Sequence, residues 1–114
     1  MNVIEIAEDK SPQLGGTFET NGHLIRIGES SSATDDRLQI GANQDLQLYH
    51  DGSNSRVVNS TGALVFQADS VNFNDTANSD SKLQLVSNAG VLLYYDNAKK
   101  FETKTYGVFV NGDG

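Results

Sequence analysis

The sequence predicts an all-β chain that cannot bury its apolar residues by itself. Three observations carry that expectation. Apolar residues alternate with polar ones, as in Leu38-Gln39-Ile40, Leu46-Gln47-Leu48 and Leu83-Gln84-Leu85, and this period of two puts the aliphatic side chains on one face of a strand. Turn-forming residues separate these stretches, and the stretches recur along the chain at a fixed spacing. Composition sets the limit on burial. The 114 residues are only 37% hydrophobic, with no Trp or Cys and one proline, Pro12, and nearly half are Gly, Ser, Asn, Asp and Thr. A domain of this size buries a modest share of its surface even with an ordinary composition. So few large apolar residues cannot offset the entropy of ordering the chain, so a catalytic monomer is not expected and a partner surface is.

Disorder is the other outcome such a composition allows. The formal charge is −7, but acids and bases are interspersed, and four Tyr and five Phe fall in clusters with Val, Ile and Leu. Disordered chains lack such clusters, so folded β structure is expected. The absence of cysteine excludes disulfides and thiolate metal sites. No apolar run approaches the roughly 20 residues that cross a bilayer as a helix, and Met1–Ile6 lacks the basic end and apolar stretch of a secretion signal. Acidity disfavours the phosphate contacts that dominate nucleic-acid affinity. Neither nucleic acid nor membrane insertion is therefore expected.

Laying residues 35–65 over 80–110, a shift of 45, matches nine positions without a gap: Asp35/Asp80, Leu38/Leu83, Gln39/Gln84, Asn43/Asn88, Leu48/Leu93, Tyr49/Tyr94, Asp51/Asp96, Gly62/Gly107 and Val65/Val110. Such a repeat has one-sided apolar patches and must stack on neighbours or on copies of itself. The chain then reads as an N-terminal connecting segment (1–16), a β-hairpin and loop (17–34), a first repeat (35–79) and an incomplete second (80–114).

Each element follows from local chemistry. The first ten residues are ambiguous, since Val3, Ile6 and Ala7 share a helical face while Val3 and Ile4 suit a strand; Pro12 and Gly15-Gly16 end whatever forms there. Asn21-Gly22 suits a type I′ turn joining strands at 17–20 and 23–27, and residues 28–34 read as loop. In the repeats, Leu38, Ile40, Leu46 and Leu48 correspond to Leu83, Leu85, Val91 and Leu93; these eight are the expected shared core. Asp51-Gly52-Ser53-Asn54 and Asp96-Asn97-Ala98-Lys99 suit hairpin connections, because Asp can bond backbone two residues on and Gly52 or Asn97 tolerates positive φ. Returning strands are expected at 55–59 and 100–103. A second turn at Gly62 and Gly107 precedes strands at 63–66 and 108–110. A further strand is expected at 71–73, before a polar connection at 74–81.

Several of these strings are similar to those of a known family. Asp35-Asp36-Arg37-Leu38-Gln39-Ile40-Gly41, the run Leu46-Gln47-Leu48-Tyr49-His50-Asp51-Gly52-Ser53-Asn54-Ser55, and Leu92-Leu93-Tyr94-Tyr95-Asp96-Asn97-Ala98-Lys99-Lys100-Phe101-Glu102-Thr103 resemble repeats in tail-fibre proteins of tailed bacteriophages, especially phages of marine cyanobacteria. Ser11–Gly16 followed by Phe18–Gly22 is similar to a junction ahead of those repeats. The resemblance spans roughly residues 11–112. It implies an elongated, intertwined homotrimeric β-helix or β-prism fibre module, exposed on the virion and contacting other tail proteins. Thr105-Tyr106-Gly107-Val108-Phe109 departs from the pattern with aromatics where small polar residues are usual, and no distal tip or self-cleaving chaperone domain is recognisable. A fragment, or a short fibre with its recognition end elsewhere, is the expectation.

Enzyme chemistry finds little support. Asp35 and Asp36 are neighbours and would point to opposite faces of a strand, a poor arrangement for acid/base work. Asp51 with Ser53 and Ser55, and Asn72 with Asn74, lack the glycine and glutamate of calcium loops. His23 and His50 have no second nitrogen ligand nearby in sequence, and Gly15-Gly16 is not followed by the Lys-Ser/Thr of a phosphate loop. No catalytic residue, cofactor or metal is assigned. Lys99, Lys100 and Lys104 make a small basic patch, expected as a solvated turn. Tyr49, Tyr94 and Tyr95 support two readings: packing across strands or between chains, or a surface for a host glycan. The expected function is a rigid trimeric spacer supporting host attachment. A glycan-binding module is the alternative, with a polysaccharide-cleaving fibre enzyme or bacterial adhesin third.

Overall fold

The computed structural model describes residues 13–112. They fall into two units, one ending at Gly62 and the other beginning at Ala63. The described residues are all-β, with no helix. In the first unit, β1 (Leu38–Ile40), β2 (Leu46–His50) and β3 (Ser55–Asn59) form an antiparallel sheet in the order β1-β2-β3. In the second, β4 (Ser70–Asn74), β5 (Ser81–Val86), β6 (Gly90–Tyr95), β7 (Ala98–Lys104) and β8 (Gly107–Val110) form an antiparallel sheet in sequence order. Neither sheet closes on itself. The repeat boundary at 79/80 and the unit boundary at 62/63 differ because β4, from the end of the first repeat, pairs with β5 of the second.

The first hairpin of each repeat has the same register. Leu38 faces Leu48 and Ile40 faces Leu46; 45 residues on, Leu83 faces Leu93 and Leu85 faces Val91. Cross-strand partners share a face of the sheet, so each expected quartet lies on one face of its own sheet.

The second hairpins diverge. The β2–β3 connection spans residues 51–54, with Gly52 at φ 91°. There the Asp51 carboxylate accepts the amides of Ser53 (3.0 Å) and Asn54 (2.8 Å). The β6–β7 turn is only Asp96-Asn97, at φ 49° and 57°, the left-handed pair a type I′ turn requires. Ala98 and Lys99 therefore begin β7 and are not part of the turn expected at 96–99. A bulge at Lys100 restores one of the two residues lost. The pairing beyond it stays offset by one, so Leu93 faces Phe101, where the first repeat sets Leu48 against Val57.

Three expected strands are absent. Asn21 (φ 50°) and Gly22 (φ 86°) do turn the chain, and the His23 amide bonds the Thr20 carbonyl at 3.0 Å. The flanking segments 17–20 and 23–27 nevertheless form no ladder: an isolated two-stranded ribbon is marginal without a third strand. Residues 63–66 also form no strand. The Asp45 carboxylate accepts the hydroxyls of Ser60 (3.1 Å) and Thr61 (3.0 Å), and its carbonyl accepts the Ser60 amide (2.9 Å). The chain is thereby held at the residues that would have turned it back. The second repeat has Gly90 in place of Asp45, and there β8 returns on β7. The expected N-terminal element, with Pro12, lies outside the described residues.

Candidate association surface

Register fixes what each face carries. In the five-stranded sheet, Val71 faces Leu85, Phe73 faces Leu83, Leu93 faces Phe101, and Phe101 faces Val110. Together with Val91, Tyr95 and Val108 they make one side of the sheet apolar across all five strands. The opposite side carries Asn72, Gln84, Tyr94, Lys99 and Glu102, with Leu92 and Phe109 among them. In the three-stranded sheet, Leu38, Ile40, Leu46, Leu48 and Val57 share one side, while Gln39, Gln47, Tyr49, Arg56 and Val58 share the other.

Among the described residues, the apolar sides remain half-buried or exposed. No hydrophobic residue is buried among the described residues; Phe73 is 51% exposed and Tyr95 75%. Full burial of one such side chain contributes roughly 1.5–3 kcal/mol, a gain the single chain leaves unrealised. In the second unit, an open depression of about 620 Å³ is bordered by Phe66, Val71, Leu85 and Val91 together with Gly90, Thr103 and the turn residues Ser87 and Asn88. A Cβ on Gly90 would lie 2.8 Å from the Thr103 carbonyl oxygen, so only glycine allows this approach. The Thr103 hydroxyl accepts the Val91 amide at 2.9 Å.

Hydrogen bonds and ion pairs organise the polar sides and the loops beside them. Ser30, 4% exposed, sits in a polar knot: its hydroxyl bonds the Ser32 carbonyl at 3.0 Å and the Asp35 carboxylate at 3.1 Å. The Arg37 guanidinium donates to the Ser30 hydroxyl and the Ser32 carbonyl, reaches Gln47 at 2.8 Å, and stacks over Tyr49 with its carbon 4.0 Å from the ring centre. The Ser31 hydroxyl and Ser32 amide hold the Asp35 carboxyl at about 2, against an ordinary 3.8. Asp51 is likewise held at about 2, first by Arg56, whose Nε lies 2.5 Å away. In the second unit the Tyr94 hydroxyl bonds Gln84 at 3.0 Å. Lys104 and Lys99 both pair with Glu102, at 2.8 and 2.5 Å, and lower its pKa. The lysines at 99, 100 and 104 thus belong to strand β7, not to a solvated turn.

Of the three tyrosines, Tyr49 lies in the first unit, packed against Arg37. Tyr94 and Tyr95 are consecutive strand residues and point to opposite sides. A smaller depression of about 420 Å³ is bordered by Asp80, Ser81, Lys82, Tyr94, Tyr95 and Asp96. No group of three or more His, Asp or Glu positioned to hold a metal occurs among the described residues, and His50 lies beside Glu29, Nδ1 to Oε2 2.9 Å.

Sequence reasoning missed the breadth of the apolar side. Val71, Phe73 and Val110 were legible as strand residues. Phe101, however, joins this side only through the short turn and the bulge, and its counterpart in the first repeat is Arg56. No family model, curated protein or solved structure matches the chain.

Proposed function

We propose that the chain is a non-enzymatic structural module of a phage tail fibre: a homotrimer, built as a β-helix or β-prism, serving as a rigid spacer on the virion in support of host attachment. The observation that carries this reading is the continuous apolar side of the β4–β8 sheet, uncovered in the single chain. Copies of the chain that bury this side together gain the core that each lacks alone, and the polar sides, which carry the Tyr94–Gln84 bond and the Glu102 ion pairs, become the outside. The viral assignment draws on the likeness of the 35–41, 46–55 and 92–103 strings to fibre repeats. Other tail proteins are the expected neighbours, and the reading requires no cofactor.

The test is oligomeric mass in solution, by light scattering or sedimentation, for the native chain and for Leu48→Asp combined with Leu93→Asp. The native chain should run as a trimer, and the variant should dissociate and unfold. A native chain that is a folded monomer, or a variant that stays folded as one, sinks the proposal.

The depression bordered by Asp80, Lys82, Tyr94, Tyr95 and Asp96 favours a second reading, a site for a host-surface glycan. The exposed Tyr95 ring beside carboxylates suits sugar hydroxyls and C–H faces. Saturable glycan-array binding lost in Tyr95→Ala would support it, and a blank array would remove it.

A further inference from the structure

The two repeats end differently, and one sheet edge lacks the strand that its counterpart has. In the second unit, β8 covers the outer edge of β7 through Glu102↔Phe109, Thr103↔Val108 and Lys104↔Gly107. Forty-five residues earlier these positions are β3 and Gly62–Val65, with Gly62/Gly107 and Val65/Val110 identical. Yet Gly62–Val65 is not a strand, and among the described residues β3 pairs in a ladder only with β2, while its Asn59 side chain donates to the Gly62 carbonyl at 3.0 Å. Its outer edge presents backbone donors and acceptors ready to template another strand. Gly62–Val65 cannot readily fill that edge from within its own chain, because Asp45 holds Ser60 and Thr61 at the point where the hairpin would turn.

We infer that Gly62–Val65 of a second copy of this chain pairs antiparallel with the outer edge of β3, in the way β8 pairs with β7. This exchange presupposes the self-association proposed above. Transposing the β7–β8 register sets Leu64 opposite Val57 and Ala63 opposite Val58. Leu64 then extends the apolar row that runs through Leu38, Leu48 and Val57. The donor segment is uncharged, and Leu64 and Val65 are exposed, so no like-charge contact or buried charge opposes the pairing. A second copy is the occupant that the repeat favours: Gly62–Val65 is the segment that corresponds, at the 45-residue shift, to β8, and Asp45 holds the residues before it away from the edge of its own chain. A strand donated between copies would cover that edge with backbone hydrogen bonds as well as apolar contact.

The native chain has no cysteine, so directed cross-linking is clean. Val57→Cys and Leu64→Cys chains carrying different tags are mixed, refolded together and oxidised. The expected result is a reducible disulfide between the two chains, several-fold more abundant than from Val57→Cys mixed with Phe66→Cys, which is displaced by two residues along the strand. Absence of that preference in a mixture that is oligomeric by mass overturns the exchange while leaving self-association intact. A chain that is monomeric by mass overturns both. If the double variant Val57→Cys/Leu64→Cys closes its disulfide within one chain, a second copy is not the donor, and the inference fails. Hydrogen exchange on the native protein covers the case in which the cysteine variants do not fold. Amides of 56–59 and 62–65 should be protected in the oligomer and lose protection on dilution; rapid exchange of both segments in an intact oligomer overturns the inference.

Discussion

Individual side chains here stabilise the backbone around them far more than they build a core. The most enclosed residue among those described is a serine, Ser30, and the groups that organise the first unit are Asp35, Arg37, Asp45 and Asp51. Two of these carboxyls have a defined pH signature. Asp35 and Asp51 are held at about 2 against an ordinary 3.8. A depressed carboxyl contributes stability that is fully present above its unfolded pKa and is lost as pH falls through its folded value. Their contribution is therefore complete above about pH 4 and fades toward pH 2. Melting temperature followed by circular dichroism should fall across that window, and Asp51→Asn should flatten the fall; an unchanged slope in the variant would exclude the Asp51 clasp as a cause. Gly90 is the second residue-level test. Gly90→Ala pushes a methyl group to 2.8 Å from the Thr103 carbonyl oxygen, and such overpacking costs about 1–3 kcal/mol. Urea denaturation should show that loss, while Gly62→Ala, with nothing within 4 Å but a φ of 71°, should lose only the smaller cost of left-handed backbone.

At the scale of elements, turn length decides which residues meet. A connection two residues shorter, partly compensated by the Lys100 bulge, moves β7 by one position relative to the first repeat. A one-residue shift exchanges the two faces of a strand, so Phe101 takes the apolar side and Glu102 the polar side, where Lys99 and Lys104 meet it. Asn97 fixes the turn: its Oδ1 accepts the Ser81 amide and its Nδ2 donates to the Ser79 carbonyl, each at 3.0 Å, and Asp80 accepts its backbone amide at 3.0 Å. Asn97→Ala loses both side-chain bonds, worth about 1 kcal/mol each, and adds left-handed strain of about 1 kcal/mol. Asn97→Gly loses only the bonds, so chemical denaturation should rank native, then glycine, then alanine. Equal stability of the two variants would mean that φ at this position costs nothing. Much of this level was legible in the sequence. Alternation around Gln39, Gln47 and Gln84 marked the strands, and the 45-residue shift marked which leucines face one another. The absence of a strand at 63–66 was not legible, because it depends on Asp45 reaching residues 15 and 16 positions away. The side taken by Phe101 was hidden for a related reason, since local alternation does not report a bulge.

For the whole molecule the deciding quantity is apolar surface without cover. Composition alone indicated that the chain could not bury enough, and the structure locates the shortfall on one side of each sheet. The eight aliphatic residues expected to form a shared core do line up, four on each sheet, but the side they mark in the second unit is wider, adding Val71, Phe73, Phe101 and Val110. If folding is completed by association, stability must depend on protein concentration. Diluting the native chain should lower its melting temperature progressively, and Leu93→Asp should steepen that dependence. A melting temperature that does not move with concentration would show that the single chain is stable with its apolar side open to water.

The order β4-β5-β6-β7-β8 has a consequence for synthesis. Every strand of that sheet bonds only to the strands before and after it in sequence, so no pairing waits for a distant segment. Low sequence separation between contacts favours fast folding, and a meander of this kind can add one hairpin at a time as the chain leaves the ribosome. Its apolar side is complete only when β8 arrives. Under the proposed self-association, copies would therefore meet through that side only after β8 has been made, when the strands that would otherwise mispair are already engaged.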